Sequence, residues 1–136
     1  MDLQEKLLKE SKTIAVVGIS PNPDRDSHEV AKYLQSVGYR VIPVNPTIEE
    51  VLGEKSYPDL RSIPESVDMV DVFRRPETVG PVVEEAISIG AKSIWFQDGV
   101  INEEAAARSR EAGLEVVMDD CTMRVHRRLS SEGRLG

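Results

Sequence analysis

Cysteine is almost missing from this chain: Cys121 is the single one in 136 residues. One thiol excludes an intrachain disulfide and a cysteine-built zinc site. Histidine is nearly as scarce, with only His28 and His126, so a dedicated metal site is not expected. No stretch approaches the ~18 consecutive apolar residues of a membrane-spanning helix, so no membrane partner is expected. The opening M-D-L-Q-E-K-L-L-K-E lacks the basic start and apolar core of a secretory leader, and the expected location is cytoplasmic. A basic surplus is also lacking. The net charge of −7 argues against sequence-independent nucleic-acid binding, which needs a basic surface. It leaves room for an anionic small ligand, because local field and backbone N–H groups decide that. Repeats, low-complexity segments and composition shifts are absent too, so one domain over residues 1–136 is expected.

What is present is ordinary for a globular protein: 40% apolar and 30% charged residues. The organising stretch is T-I-A-V-V-G-I-S-P-N-P-D-R, residues 13–25. Ile14, Ala15, Val16 and Val17 form a short, β-branched run, which reads as a strand buried on both faces. It empties into a polar turn holding Gly18, Ser20, two prolines and Arg25. Val30, Ala31, Leu34 and Val37 then recur at helical spacing.

The rest of the chain alternates in the same way. Leu3, Leu7 and Leu8 suggest a short amphipathic helix ahead of the first strand. Later strands are expected at Arg40–Val44, 69–73, Ser93–Phe96 and 115–118. Thr47 is placed to cap a single turn at 50–52, and residues 54–67 read as a loop. One helix is expected from Pro76 to Ile89, with Pro76 in its first turn. Another is capped by Asn102, and a short last one is expected at 121–129, ahead of a loose tail. Five strands alternating with helices predict an α/β fold: a parallel sheet with helices on both faces. A Rossmann-like order of 3-2-1-4-5 is expected, with a flavodoxin-like order second. The switch point would then lie between the first and fourth strands.

Four turns converge at the carboxyl edge of such a sheet, where open α/β sheets bind ligands. Gly18 lets the backbone approach a ligand closely, Ser20 offers a hydroxyl, and Arg25 can grip a phosphate bidentately. The following helix N-terminus adds free N–H groups. Asn45-Pro46 ends the second strand as a fixed turn able to face a flat base. Arg74 and Arg75 follow a buried strand directly, and Gln97 follows Trp95 and Phe96.

A dinucleotide fingerprint is not met. G-x-G-x-x-G would need glycines where Ser20 and Pro23 stand, and Val44, Asn45 and Pro46 replace the acid that grips an adenine ribose. No Ser-His-Asp arrangement is visible, Ser20 has no evident base, and no complete catalytic constellation is found. Cys121, ahead of a helix, is read as either a reactive or a buried thiol. The run from Arg124 to Arg128 reads as a solvated helix face.

The motifs together resemble a known family. I-A-V-V-G-I-S-P-N-P-D-R, G-Y-R-V-I-P-V-N-P, V-L-G-E-K-S-Y-P-D-L, V-D-V-F-R-R-P, G-A-K-S-I-W-F-Q and C-T-M-R-V-H-R-R-L occur in order. The chain is similar, over a core of residues 11–129, to small stand-alone CoA-binding domains. Their fold is like the CoA-binding domain of the succinyl-CoA synthetase α subunit. The resemblance implies coenzyme A as cofactor. It places the phosphates at the first turn, with Gly18, Ile19, Ser20 and Arg25, and the adenosine against Val44, Asn45 and Pro46. The remaining groove is lined by Phe73, Arg74, Arg75, Trp95 and Gln97. Two positions depart from the family pattern: Asp120 stands where a basic residue is usual, and Val125 where an acidic one is common. Neither histidine matches the synthetase's phosphorylated one.

The leading expectation is a non-catalytic module for CoA or acyl-CoA, as a homodimer or with an acyl-CoA enzyme as partner. The alternatives are a small NAD(P)-linked oxidoreductase, an accessory subunit of an acyl-CoA ligase or transferase, and a thiol switch at Cys121.

Overall fold

The computed structural model describes residues 1–135. Its elements in chain order are α1 (Leu3–Glu10), β1 (Thr13–Val17), α2 (Asp26–Ser36), β2 (Arg40–Val44), β3 (Glu50–Val51), β4 (Glu54–Lys55), β5 (Met69–Val72), α3 (Gly80–Ser88), β6 (Ser93–Phe96), α4 (Glu103–Glu111), β7 (Glu115–Val117) and α5 (Thr122–Ser131). Five of the strands form one parallel sheet in the order β2-β1-β5-β6-β7.

Strand periodicity builds the layers. Side chains alternate between faces along a strand, so Ile14 and Val16 pack with Met69 and Trp95 against α1, α2 and α5. Ala15 and Val17 pack with Val70, Val72, Ile94 and Phe96 against α3 and α4. Both faces are covered, which is why the strands read as continuous apolar runs.

The α/β class with helices on both faces is as expected, but the strands do not fill the places first assigned to them. Met69–Val72 was expected outside β2. It pairs directly with β1 instead, through Ile14 with Met69 and Val17 with Val72. The place outside β2 is taken by Tyr57, in a single parallel bridge to Val44. Counting Tyr57 as a rudimentary third strand gives the Rossmann succession 3-2-1-4-5-6. The switch point therefore lies between β1 and β5. Pro43 is tolerated in β2 because this flank carries only that one bridge; its carbonyl accepts from Tyr57 N.

Three further expectations are corrected. The turn at 50–52 is not helical: β3 and β4 form a hairpin, closed by Leu52 and Gly53 with φ of 54° and 75°, the left-handed pair of a type I′ turn. The helix expected from Pro76 to Ile89 is split into a 3-10 turn at Pro76–Thr78 and α3. Pro81 lacks an N–H and cannot sit inside a helix, so it stands in the first turn of a new one. The described tail, up to residue 135, is not loose, since α5 continues to Ser131 and Arg134 pairs with Glu5 of α1.

Candidate functional site

The loops after β1 and β5 meet at the switch point because Gly18 permits it. Gly18 has φ of 87°, and a Cβ there would lie 2.1 Å from the Phe73 carbonyl oxygen. The close approach that requires glycine here is thus to the backbone at the end of the neighbouring strand. Arg74 lies over the same spot, its Cδ 3.4 Å from that Cβ position.

The turn beyond Gly18 is held by its own polar groups. Ser27 Oγ accepts from Ser20 N at 2.9 Å, and Ser20 Oγ accepts from Asn22 N at 3.1 Å. Asn22 Oδ1 accepts from Asp24 N at 3.0 Å, and His28 Nδ1 lies 3.0 Å from the Ser20 carbonyl. These bonds hold the turn that leads into α2. Arg25 occupies its N-cap, and its carbonyl accepts from His28 N and Glu29 N at 3.1 Å; the N–H groups of Asp26 and Ser27 precede these and have no partner within the helix, where an anion could meet them. Gly18, Ser20, Asp24, Arg25, Asp26, Ser27 and Phe73 surround a cavity of about 540 Å³.

A larger cavity of about 710 Å³ adjoins it and shares Asp26 and Phe73. Arg74, Arg75 and Pro76 of the β5 loop line it, as do Gln97, Asp98 and Gly99 of the β6 loop and Cys121, Met123, Arg124 and Arg127 at α5. Its four guanidinium groups are not equally free. Arg124 is held by both oxygens of Asp98 at 2.8 Å and by Asp120 at 2.7 Å, and this holds the Asp98 carboxyl below its usual range. Arg127 lies over the Tyr33 ring, 4.8 Å from its centroid. Arg75 makes only an exposed 3.8 Å contact to Glu77. Arg74 Nε is buried without a hydrogen-bond partner, a state that costs free energy until an acceptor arrives.

The expected site residues divide in two. Gly18, Ser20, Arg25, Phe73, Arg74, Arg75 and Gln97 border the two cavities. Ile19, Val44 and Trp95 bury their side chains in the core, and Trp95 Nε1 donates to the Asp120 carbonyl at 3.0 Å. Asn45 spends its amide on the turn: Nδ2 donates to the Ile19 carbonyl at 2.8 Å, while Oδ1 accepts from Thr47 N and Oγ1. Pro46 is exposed beside it, outside both cavities.

Several lining residues were not foreseen. Arg124 and Arg127, read as a solvated face, border the larger cavity together with Met123; their helical spacing next to the apolar Met123 was the available signal. Asp120, the departure from the family pattern, is a structural anchor that pairs with Arg124 and accepts from Gln4. Val125, the other departure, is buried against the sheet. Cys121 is also buried, and burial pushes its thiol pKa up, which works against a reactive thiolate. Among the described residues no His, Cys, Asp or Glu cluster could hold a metal. None of their helices is long and apolar enough to cross a membrane.

A parallel sheet in this order, with two adjoining cavities at its switch point, defines a Rossmann-like domain. The model of the CoA binding domain family matches residues 12–127, and the chain belongs to that family. It is 47% identical over 122 residues to the uncharacterized protein YneT of Bacillus subtilis (strain 168), covering 90% of each. A hypothetical protein from Pyrococcus horikoshii OT3 superposes with a TM-score of 0.91 at 47% identity, over 93% of this chain and 89% of that one. The ADP-forming acetate–CoA ligase I of Archaeoglobus fulgidus is 28% identical over 81% of this chain, which spans only 18% of the ligase.

Proposed function

We propose that this chain binds coenzyme A or an acyl-CoA along the carboxyl edge of the sheet and acts as a non-catalytic module. The carrying observation is the junction of two unlike cavities at the switch point. The smaller combines the open α2 N-terminus with Arg25 and Ser20, the chemistry of a phosphate cradle. The larger runs past Phe73 and Val100 to Met123 and Cys121, which suits a flexible, weakly polar arm. Arg74 stands between them with an unsatisfied Nε. CoA has this polarity: phosphates at one end and a pantetheine arm at the other. Membership in the CoA binding domain family supports the same ligand.

The alternatives fare differently. An NAD-linked activity needs a ribose-gripping acid at the end of β2, and Asn45 stands there with its amide engaged. The relation to acetate–CoA ligases supports an accessory role beside an acyl-CoA enzyme, with this chain supplying the CoA site.

Calorimetric titration with CoA, dephospho-CoA and NADH tests the proposal. CoA should bind tightest, dephospho-CoA more weakly, and NADH least. Arg25→Ala should weaken CoA about tenfold, the loss of one charge-assisted contact. A preference for NADH, or no binding of CoA, overturns the proposal.

A further inference from the structure

Asp71 occupies a place where an apolar side chain is expected. It lies in β5, at the middle of the sheet, and is fully buried. Its alternation with Val70 and Val72 puts it on the face that Met69 shares with α5. Both its oxygens are occupied. Gln97 Nε2 donates to Oδ1, and Thr122 Oγ1 donates to Oδ2 at 3.0 Å. Gln97 Nε2 also donates to Thr122 Oγ1 at 3.0 Å, which closes a ring of three hydrogen bonds.

The ring has a consequence for the cavity. A primary amide has two N–H donors and one acceptor oxygen. Both donors of Gln97 point inward to Asp71 and Thr122, so the oxygen is what this side chain has left for the cavity it lines. An ionised carboxylate only accepts, so once it is ionised, as at the pH 8 used below, Asp71 forbids the flipped amide.

We propose that Asp71 is a positioning residue that acts through Gln97, making the floor of the larger cavity a hydrogen-bond acceptor for an N–H or O–H group of the ligand. The inference rests on the CoA reading above, in which the donors are the amide N–H groups of the pantetheine arm. Adenosine 3′,5′-bisphosphate shares the phosphates and lacks that arm, so it serves as the internal control.

The test is binding of both ligands at pH 8 to wild type, Asp71→Asn and the exchange variant Asp71→Asn/Gln97→Glu. Side-chain amide exchange of Gln97 is followed by NMR in the first two. Asparagine has hydrogens to give, and the arrangement leaving fewest buried donors unpaired turns Gln97 Nε2 to the cavity. Asp71→Asn should therefore weaken CoA about tenfold, leave the bisphosphate unchanged and unprotect the Gln97 amide. The exchange variant puts a carboxylate oxygen on the cavity side and should restore the preference for CoA. Equal losses for both ligands, or an unchanged ratio with a protected amide, overturn the proposal. If wild type binds neither ligand, the CoA reading falls. The Gln97 amide then decides the ring: protection lost in Asp71→Asn upholds the orienting role, and protection kept overturns it.

Discussion

Single residues hold the strand ends together, and two of them lead to stability predictions. Gly18 is squeezed between β1 and the Phe73 carbonyl, so Gly18→Ala meets both a left-handed φ and a 2.1 Å clash with backbone. Backbone cannot swing aside as a flexible side chain would. The loss should exceed the ~1 kcal/mol typical of a compatible glycine-to-alanine change, with opposite sign, and a lowered urea midpoint at unchanged slope is the expected reading. Asp71 carries a different signature. Burial pushes its carboxyl up to about 7, against the two hydrogen bonds from Gln97 and Thr122 that favour ionisation. The unfolded carboxyl titrates near ~3.9. A raised folded value means that this group's contribution is most favourable below ~4 and is lost as pH rises toward 7. Asp71→Asn should therefore raise the urea midpoint more at pH 8 than at pH 5. An equal shift at both values would mean that the buried carboxyl does not titrate in this range.

At the scale of elements, the contact between α2 and α5 has the opposite pH dependence. Tyr33 on α2 and His126 on α5 approach to 2.6 Å between Oη and Nδ1, with the rings edge to face. Burial lowers the His126 pKa below its usual 6.5, so the folded state holds the ring neutral while the unfolded chain takes up a proton. Stability from this contact is complete above ~6.5 and falls as pH drops through the lowered value. In an Asp71→Asn background, which removes the opposing carboxyl, His126→Gln should flatten the acid limb of the urea midpoint between pH 7 and 5. A limb that stays as steep would place the proton uptake elsewhere.

Elements are also where the sequence was most and least legible. Ile14 to Val17 can be read as a strand because its apolar run is covered on both faces, a local signal, and Met69 to Val72 because Asp71 is the single interruption of a like run. Their neighbours could not be read. The order turns on Tyr57 taking the flank of β2 with one bridge, which no local pattern announces. Likewise Leu52 reads as helix-compatible until its turn is seen to need a left-handed φ, and the spacing of Val79, Val82 and Val83 masks the new helix start at Pro81. For the candidate site, glycine and arginine types point to the loops that border the two cavities. Burial of Ile19, Val44 and Trp95 follows from packing across the sheet, which the residue types alone do not reveal. Asp71 was visible as an acid inside M-V-D-V-F, an anomaly whose partners Gln97 and Thr122 come from distant parts of the chain.

For the whole molecule, the proposed ligand and the net charge have the same sign. The chain carries −7, and CoA is a polyanion, so long-range forces oppose encounter while the cradle favours the bound state. The two effects act over different distances. Direct phosphate contacts to Arg25 or Arg74 would be ~3 Å long, inside the ~10 Å Debye length at 0.1 M salt. Repulsion from the acidic remainder acts over larger separations and is screened first. Salt should therefore leave the association rate constant level or raise it, while it speeds dissociation, so that the net affinity falls. Stopped-flow binding of CoA between 0.05 and 0.5 M salt separates the two rates. An association rate that drops with salt would show that the focused field of the cradle outweighs the total charge already at a distance. In that case Arg25→Ala and Arg74→Ala should each slow association rather than shorten the life of the complex.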